Sequence, residues 1–216
     1  MKLMPIIRPT LPEFREFEEL VRASWNEGLV TTGRIVREFE EEVCRQTGAR
    51  EAVAMSSCTA GLMLAAQALE LPAGAEVIVP SFTFAATAQA LLWNGLVPVF
   101  CDCLPETLTL DPADVERNVT SKTAAICAAY VYGLPPDIEA LTGIGERAGL
   151  PVYFDSAQGL GAEFQGRRVD CGGVDLARVL LEPVSEPGLR AKIWDAESGH
   201  SGRRGTVVGQ RRLRAG

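Results

Sequence analysis

Five strand-like runs, Ala52–Met55, Glu76–Val79, Val97–Phe100, Thr123–Val131 and Val152–Phe154, recur along the middle of the chain, each followed or preceded by a helix-patterned stretch. They are near-continuous in apolar residues rather than alternating, as strands buried on both faces are. The spacing predicts helices over Ala60–Leu69, Ala85–Trp93 and Ile138–Ala148, and a helix opened by Asp111–Pro112, the aspartate as cap and the proline in the first turn. Upstream, Gly33 opens a stretch in which Ile35, Phe39 and Val43 recur every four residues. Strand and helix in regular alternation constrain the fold to a three-layer α/β architecture, a mainly parallel sheet covered by helices on both faces.

The pattern ends near Asp175. Leu176–Leu181 reads as one more strand, and beyond Pro183 the periodicity dissolves. Residues 184–216 hold six glycines and ten hydrophobic residues in 33 positions, and no helix or strand is predicted there. Charge shifts at the same place. Residues 1–189 carry 14 basic and 26 acidic side chains, whereas residues 190–216 carry seven basic against two acidic. The boundaries expected are therefore an arm over 1–32, a domain over 33–183 and a poorly ordered tail over 184–216. The acidic body argues against a nucleic-acid partner.

Rare residues narrow the chemistry. The one histidine, His200, excludes a His-pair metal site. Six cysteines sit mostly in apolar runs without a C-x-x-C pair, which suits reduced thiols in the cytoplasm and no zinc site. Met1–Phe14, broken by three prolines, lacks the apolar stretch of a signal peptide, and no run approaches a membrane span. Lysine occurs only as Lys2, Lys122 and Lys192.

In open parallel sheets ligands bind beyond the carboxyl ends of the strands. The loops expected there are Ser56-Ser57-Cys58-Thr59-Ala60, small and polar at a helix start; Pro80-Ser81-Phe82-Thr83-Phe84, with two aromatics; Tyr130-Val131-Tyr132-Gly133; and Asp155-Ser156-Ala157-Gln158. A phosphate cradle, a flat apolar ring and an acid on one edge suit a phosphorylated aromatic cation. Gly143-x-Gly145-x-x-x-Gly149 lies inside a predicted helix and is not a dinucleotide fingerprint.

Five segments resemble the DegT/DnrJ/EryC1/StrS family: Thr31-Thr32-Gly33-x-x-Val36-x-x-Phe39-Glu40, Ser56–Leu62, Val79–Thr87, Tyr132-Gly133-Leu134-Pro135-x-Asp137 and Phe154–Ala162. The likeness extends over residues 5–175. It implies the aspartate-aminotransferase fold and a pyridoxal-phosphate (PLP) enzyme, an aminotransferase of nucleotide-linked keto-sugars in amino-sugar biosynthesis. A nucleotide-sugar and an amino donor would be its small-molecule partners, and a homodimer its assembly. By the same resemblance Thr59 and Ala60 hold the cofactor phosphate, Phe84 stacks on the pyridine ring, Asp155 pairs with its nitrogen, and Gln158 lies by its phenolic oxygen. Cys58 stands where the family usually has glycine.

The resemblance also implies a Schiff-base lysine on the loop after the next strand, expected at Leu180-Leu181-Glu182-Pro183-Val184-Ser185. Ser185 stands where that lysine belongs, and Lys192, seven residues on, is a weak substitute. Relatives with histidine at this place are sugar dehydratases, but His200 lies further off. The family's later strand and smaller C-terminal domain are not recognisable. The expectation is an incomplete PLP-binding large domain from a truncated or frame-shifted gene, inactive alone. The alternative reading is a non-catalytic domain that holds PLP or a sugar nucleotide weakly, or pairs with a full-length relative. Either way the strand Ala52–Met55 is expected to lose a neighbour.

Overall fold

The computed structural model describes residues 11–159, apart from 48 and 50, together with 163–164, 167–168, 173–175 and 206–209. Two helices lead in, α1 (Phe14–Glu27) and α2 (Arg34–Thr47). Strand and helix then alternate as β1 (Ala52–Met55), α3 (Cys58–Ala68), β2 (Glu76–Pro80), α4 (Ala85–Trp93), β3 (Val97–Cys101), α5 (Pro112–Asn118), β4 (Thr123–Ala129), α6 (Ile138–Ala148) and β5 (Val152–Ser156). Short strands follow: β6 (Glu163–Phe164), β7 (Arg167–Arg168), β8 (Gly173–Asp175) and β9 (Thr206–Gly209).

Seven strands form one sheet in the order β1-β9-β8-β5-β4-β2-β3, while β6 and β7 pair with each other. All of the seven run parallel except β8, which is antiparallel to both β5 and β9. The three-layer α/β expectation holds. The helix starts follow local chemistry. Asp111 accepts the Ala113 N–H at 2.9 Å with Pro112 behind it, and Asp137 accepts the Ala140 N–H at 3.0 Å.

Strand parity divides the core in two. Val77, Val79, Ala125, Cys127 and Tyr153 pack with Leu62, Ala65, Ala86 and Leu91 on the face carrying α3 and α4. The intervening Ile78, Ile126, Ala128, Val152 and Phe154 pack with Val115, Leu141 and Ile144 on the face carrying α5 and α6. Val77, Ile78 and Val79 are each fully buried, which stabilises the fold by about 1.5–3 kcal/mol per side chain. Successive side chains of one strand thus serve opposite layers. Gly145 has a packing reason: a Cβ there would lie 2.4 Å from Val152 Cγ2, so α6 approaches β5 too closely for any side chain.

Two expectations are corrected, on the end of β4 and on the tail, and two elements that the sequence reading did not name are added. Residues 14–27 are helical inside what reads as an arm; Phe14, Phe17, Leu20 and Trp25 have helical spacing, yet α1 buries no residue, and all four remain exposed. β4 stops at Ala129 rather than Val131, because the chain turns sharply there: Val131 and Leu134 exchange hydrogen bonds of 3.1 and 2.8 Å around Tyr132 and Gly133, both at positive φ. After β5 the next strand of the seven-stranded sheet is β8, Gly173–Asp175, which runs antiparallel to it. Leu176–Leu181 lies outside the described residues.

The other correction concerns the tail. Thr206–Gly209 forms β9, in parallel register with β1 from Ala52↔Thr206 to Met55↔Gly209, so β1 has its neighbour. A four-residue run with two valines between glycines is too short to stand out in a segment of low apolar content, but it can fill an open strand edge. The opposite edge of β1 is met by α2, whose Glu40 Oε1 accepts the Ala54 N–H at 2.9 Å. The remaining residues of 184–216 lie outside the described set. No helix among the described residues is long and apolar enough to cross a membrane.

Candidate active site

Asp155 is the fourth residue of β5 and shares parity with Tyr153, so its side chain faces the α3–α4 layer. It also stands near the carboxyl end of its strand, level with the N-termini of those two helices. The carboxylate is consequently buried, at 6% exposure, against groups from both. Thr87, the third residue of α4, donates its hydroxyl to Oδ2 at 2.7 Å, and Cys58, the first residue of α3, offers its thiol to Oδ1 at 3.8 Å. The Ala157 N–H donates to Oδ1 at 3.2 Å. Behind Thr87, the hydroxyls of Thr83 and Thr87 are 2.8 Å apart, which stitches the loop after β2 to the acid.

Burial pushes the Asp155 carboxyl above its ordinary range, and the Thr87, Ala157 and Cys58 donors pull it back in part. Cys127 and Tyr153 on the same face are neutral groups whose own ionisation is opposed by burial and by this acid. The N-termini of α3 and α4 add favourable dipole ends. The next side chain along, Ser156, points to the opposite layer, where its buried hydroxyl has no partner among the described residues.

The other expected site residues line the same edge of the sheet. Ser57 caps α3, and its hydroxyl accepts the Ala60 N–H at 3.2 Å. The Ala60 amide expected to meet a phosphate is therefore engaged by the cap, whereas Thr59 is half-buried in the first turn with no side-chain hydrogen bond among the described residues. Phe84 forms the N-cap of α4 and is 77% exposed, at the edge of the sheet that carries Asp155. Gln158 Oε1 accepts the Tyr132 N–H at 2.7 Å and holds that residue in its left-handed conformation (φ 51°). Because a backbone N–H can only donate, this bond fixes the amide orientation and leaves Nε2 as a donor. Tyr132 in turn packs edge-on against Phe82, 6.4 Å between ring centres. Gly159 is required beside them, since a Cβ there would sit 2.8 Å from the Tyr130 ring.

Thr87 is the site residue that the reading from sequence did not single out. Its signal is faint: a hydroxyl in the otherwise apolar first turn of a helix, Ala85-Ala86-Thr87-Ala88, where a core-facing polar group needs a partner. Ser185 and Lys192 lie outside the described residues. Lys122, the one lysine among the described residues, is exposed just before β4, at the amino end of the sheet and away from Asp155.

The buried acid makes stability depend on pH with a definite sign. A carboxyl whose folded-state pKa is raised binds its proton more tightly in the native than in the unfolded chain. Native stability then falls as pH rises from the ordinary carboxylate value, about 4, through the raised one. Asp155→Asn removes that titration. In urea unfolding of the ligand-free protein, the variant is expected to gain stability over the parent across this window and to keep the gain at neutral pH. A difference independent of pH would contradict the raised value.

Comparison with known proteins agrees with this architecture. Residues 13–178 match the DegT/DnrJ/EryC1/StrS aminotransferase family. The chain is 35% identical over 169 residues to dTDP-4-amino-4,6-dideoxy-D-glucose transaminase of Escherichia coli, a match covering 78% of the chain and 45% of that protein. The crystal structure of DesI, solved in the presence of its TDP-sugar product, superposes with a TM-score of 0.71 at 40% identity, over 77% of the chain and 42% of DesI. NtdA of Bacillus subtilis, solved with bound cofactor PMP, gives 0.69 at 31% identity, over 75% and 37%. The chain thus spans less than half the length of these relatives. With one match running from α1 past β8, through every loop of the candidate site, the chain belongs to the DegT/DnrJ/EryC1/StrS aminotransferase family.

Proposed function

We propose that the chain carries the cofactor-binding part of a PLP-dependent aminotransferase of nucleotide-linked keto-sugars. The observation that supports this most is the buried Asp155 carboxylate, clamped by neutral donors at the carboxyl edge of the sheet. Such a group fits a ligand that brings a positive charge on a flat ring, and the exposed Phe84 and the α3 start supply an apolar face and an anion site beside it. The E. coli and DesI relatives, named for a dTDP-amino-sugar and a TDP-sugar product, support the substrate class.

The residues divide the work as follows. Thr59 would bind the phosphate through its hydroxyl and its amide at the start of α3, and Ser57 would release the Ala60 N–H to add a second amide. Phe84 would cover one face of the ring and exclude water from it. Asp155 would hold a proton on the pyridine nitrogen. Gln158 would donate from Nε2 to the phenolic oxygen, its other end being committed to Tyr132. The cofactor, when bound, supplies an electron sink for charge at the α-carbon of the amino donor.

We infer further that this chain by itself binds the cofactor without a covalent link. The stretch Leu180–Ser185 contains no lysine, and Lys122 is at the wrong end of the sheet. The exposed apolar side chains of α1 support a homodimer, and Cys44, Cys101, Cys103 and Cys127, none of them in a disulfide among the described residues, support a reducing, cytoplasmic setting. Sedimentation checks the dimer: twice the 23.2 kDa chain mass is expected, and a single-chain mass contradicts it.

Titration of the full chain with PLP, followed by borohydride, tests the function. Saturable binding is expected, weakened roughly tenfold or more by Asp155→Ala, the worth of a hydrogen bond to a charged group, with no reduced adduct by mass spectrometry. An adduct on Lys192 would overturn the non-covalent reading. Equal affinity in the Asp155 variant would overturn the cofactor site.

A further inference from the structure

Resting on that cofactor site, we propose that Thr87, backed by Thr83, is a positioning residue that fixes the Asp155 carboxylate for the ring nitrogen of the cofactor and ties it to the loop that presents Phe84. A hydroxyl has one proton to give. Thr87 donates its hydroxyl proton to Asp155 Oδ2 at 2.7 Å, so in the 2.8 Å contact behind it Thr83 is the donor. The direction of the relay is thereby set: Thr83 to Thr87 to Asp155. Thr83 directly precedes Phe84, so two consecutive hydrogen bonds join the loop carrying the exposed ring to the acid.

The surroundings of Asp155 make the relay consequential. Among the described residues, the groups facing it are the thiol of Cys58 from α3, the hydroxyl of Thr87 from α4, Cys127 from β4, Tyr153 from its own strand and the Ala157 amide. None of these is a cation. A buried carboxylate is held ionised by charge or by hydrogen bonds, and here the shortest bond is that of Thr87. It leaves the carboxylate one well-defined rotamer with unused acceptor capacity for the cation that binding would bring. The hydroxyl is also fully committed to a residue 68 positions away, rather than to its own helix as buried threonines often are.

The test compares Thr87→Val, Thr87→Ser and Thr83→Val with the parent full chain. Two readouts are used: the Asp155 carboxyl titration by carbon-13 NMR without ligand, and binding of pyridoxamine phosphate by fluorescence. Thr87→Val is expected to raise the Asp155 midpoint by roughly one pH unit and to weaken binding roughly tenfold, the worth of one hydrogen bond to a charged group. Thr87→Ser, which keeps the hydroxyl, restores both. Thr83→Val, which leaves the first bond in place, moves both in the same direction by less and stands in should the Thr87 variant fail to fold. If Asp155→Ala weakens binding while Thr87→Val and Thr83→Val change neither readout, the positioning role is overturned and the cofactor site stands. If Thr87→Ser behaves like Thr87→Val, packing rather than the hydroxyl is responsible and the role is again overturned. If Asp155→Ala itself leaves binding unchanged, the cofactor site and the positioning role both fall.

Discussion

A carboxylate buried in a protein interior must find partners or give up its charge, and Asp155 answers that constraint with donors drawn from three separate pieces of chain. Everything else about the site follows from where the parallel sheet puts this one group. Parity turns it toward α3 and α4, and its place near the end of β5 sets it beside the first turns of both helices. A shift of one residue in β5 would send the acid into the α5–α6 core and bring Ser156 to the site instead. The apolar runs that fill the two layers are what forbid that shift.

Much of this architecture is legible from local pattern because it is locally caused. The caps at Asp111 and Asp137, Pro112 in its first turn and the near-continuous apolar strands are decided by neighbours within a few residues. The loops that carry the site could be named for the same reason, since any parallel strand delivers its following loop to the same edge. What local pattern leaves hidden is pairing over distance. Thr87 meets Asp155 across 68 positions and Cys58 meets it across 97, and nothing near either residue announces its partner. The engagement of the Ala60 amide by Ser57 is local, yet a small polar helix start looks the same whether its amides are capped or open.

The departures at the two ends of the chain have a common physical origin. α1 buries none of its residues, so its apolar spacing is not tied to a core and reads weakly beside the prolines before it. β9 is four residues long and gains its place from β1 and β8 on either side of it rather than from its own flanks. In both cases the surroundings, and not the segment, decide the structure. The family match ends at residue 178, so β9 occupies the sheet position beside β1 with sequence outside the matched region.

The central claim is that Asp155 holds the protonated ring nitrogen of a pyridoxal-type cofactor. It is tested most directly by nitrogen-15 NMR of ring-labelled pyridoxamine phosphate bound to the full chain, followed as pH is raised. The account predicts a bound nitrogen that keeps its proton to higher pH than in free solution and loses this advantage in Asp155→Ala. A bound nitrogen that titrates as the free compound does, with or without the acid, would contradict it.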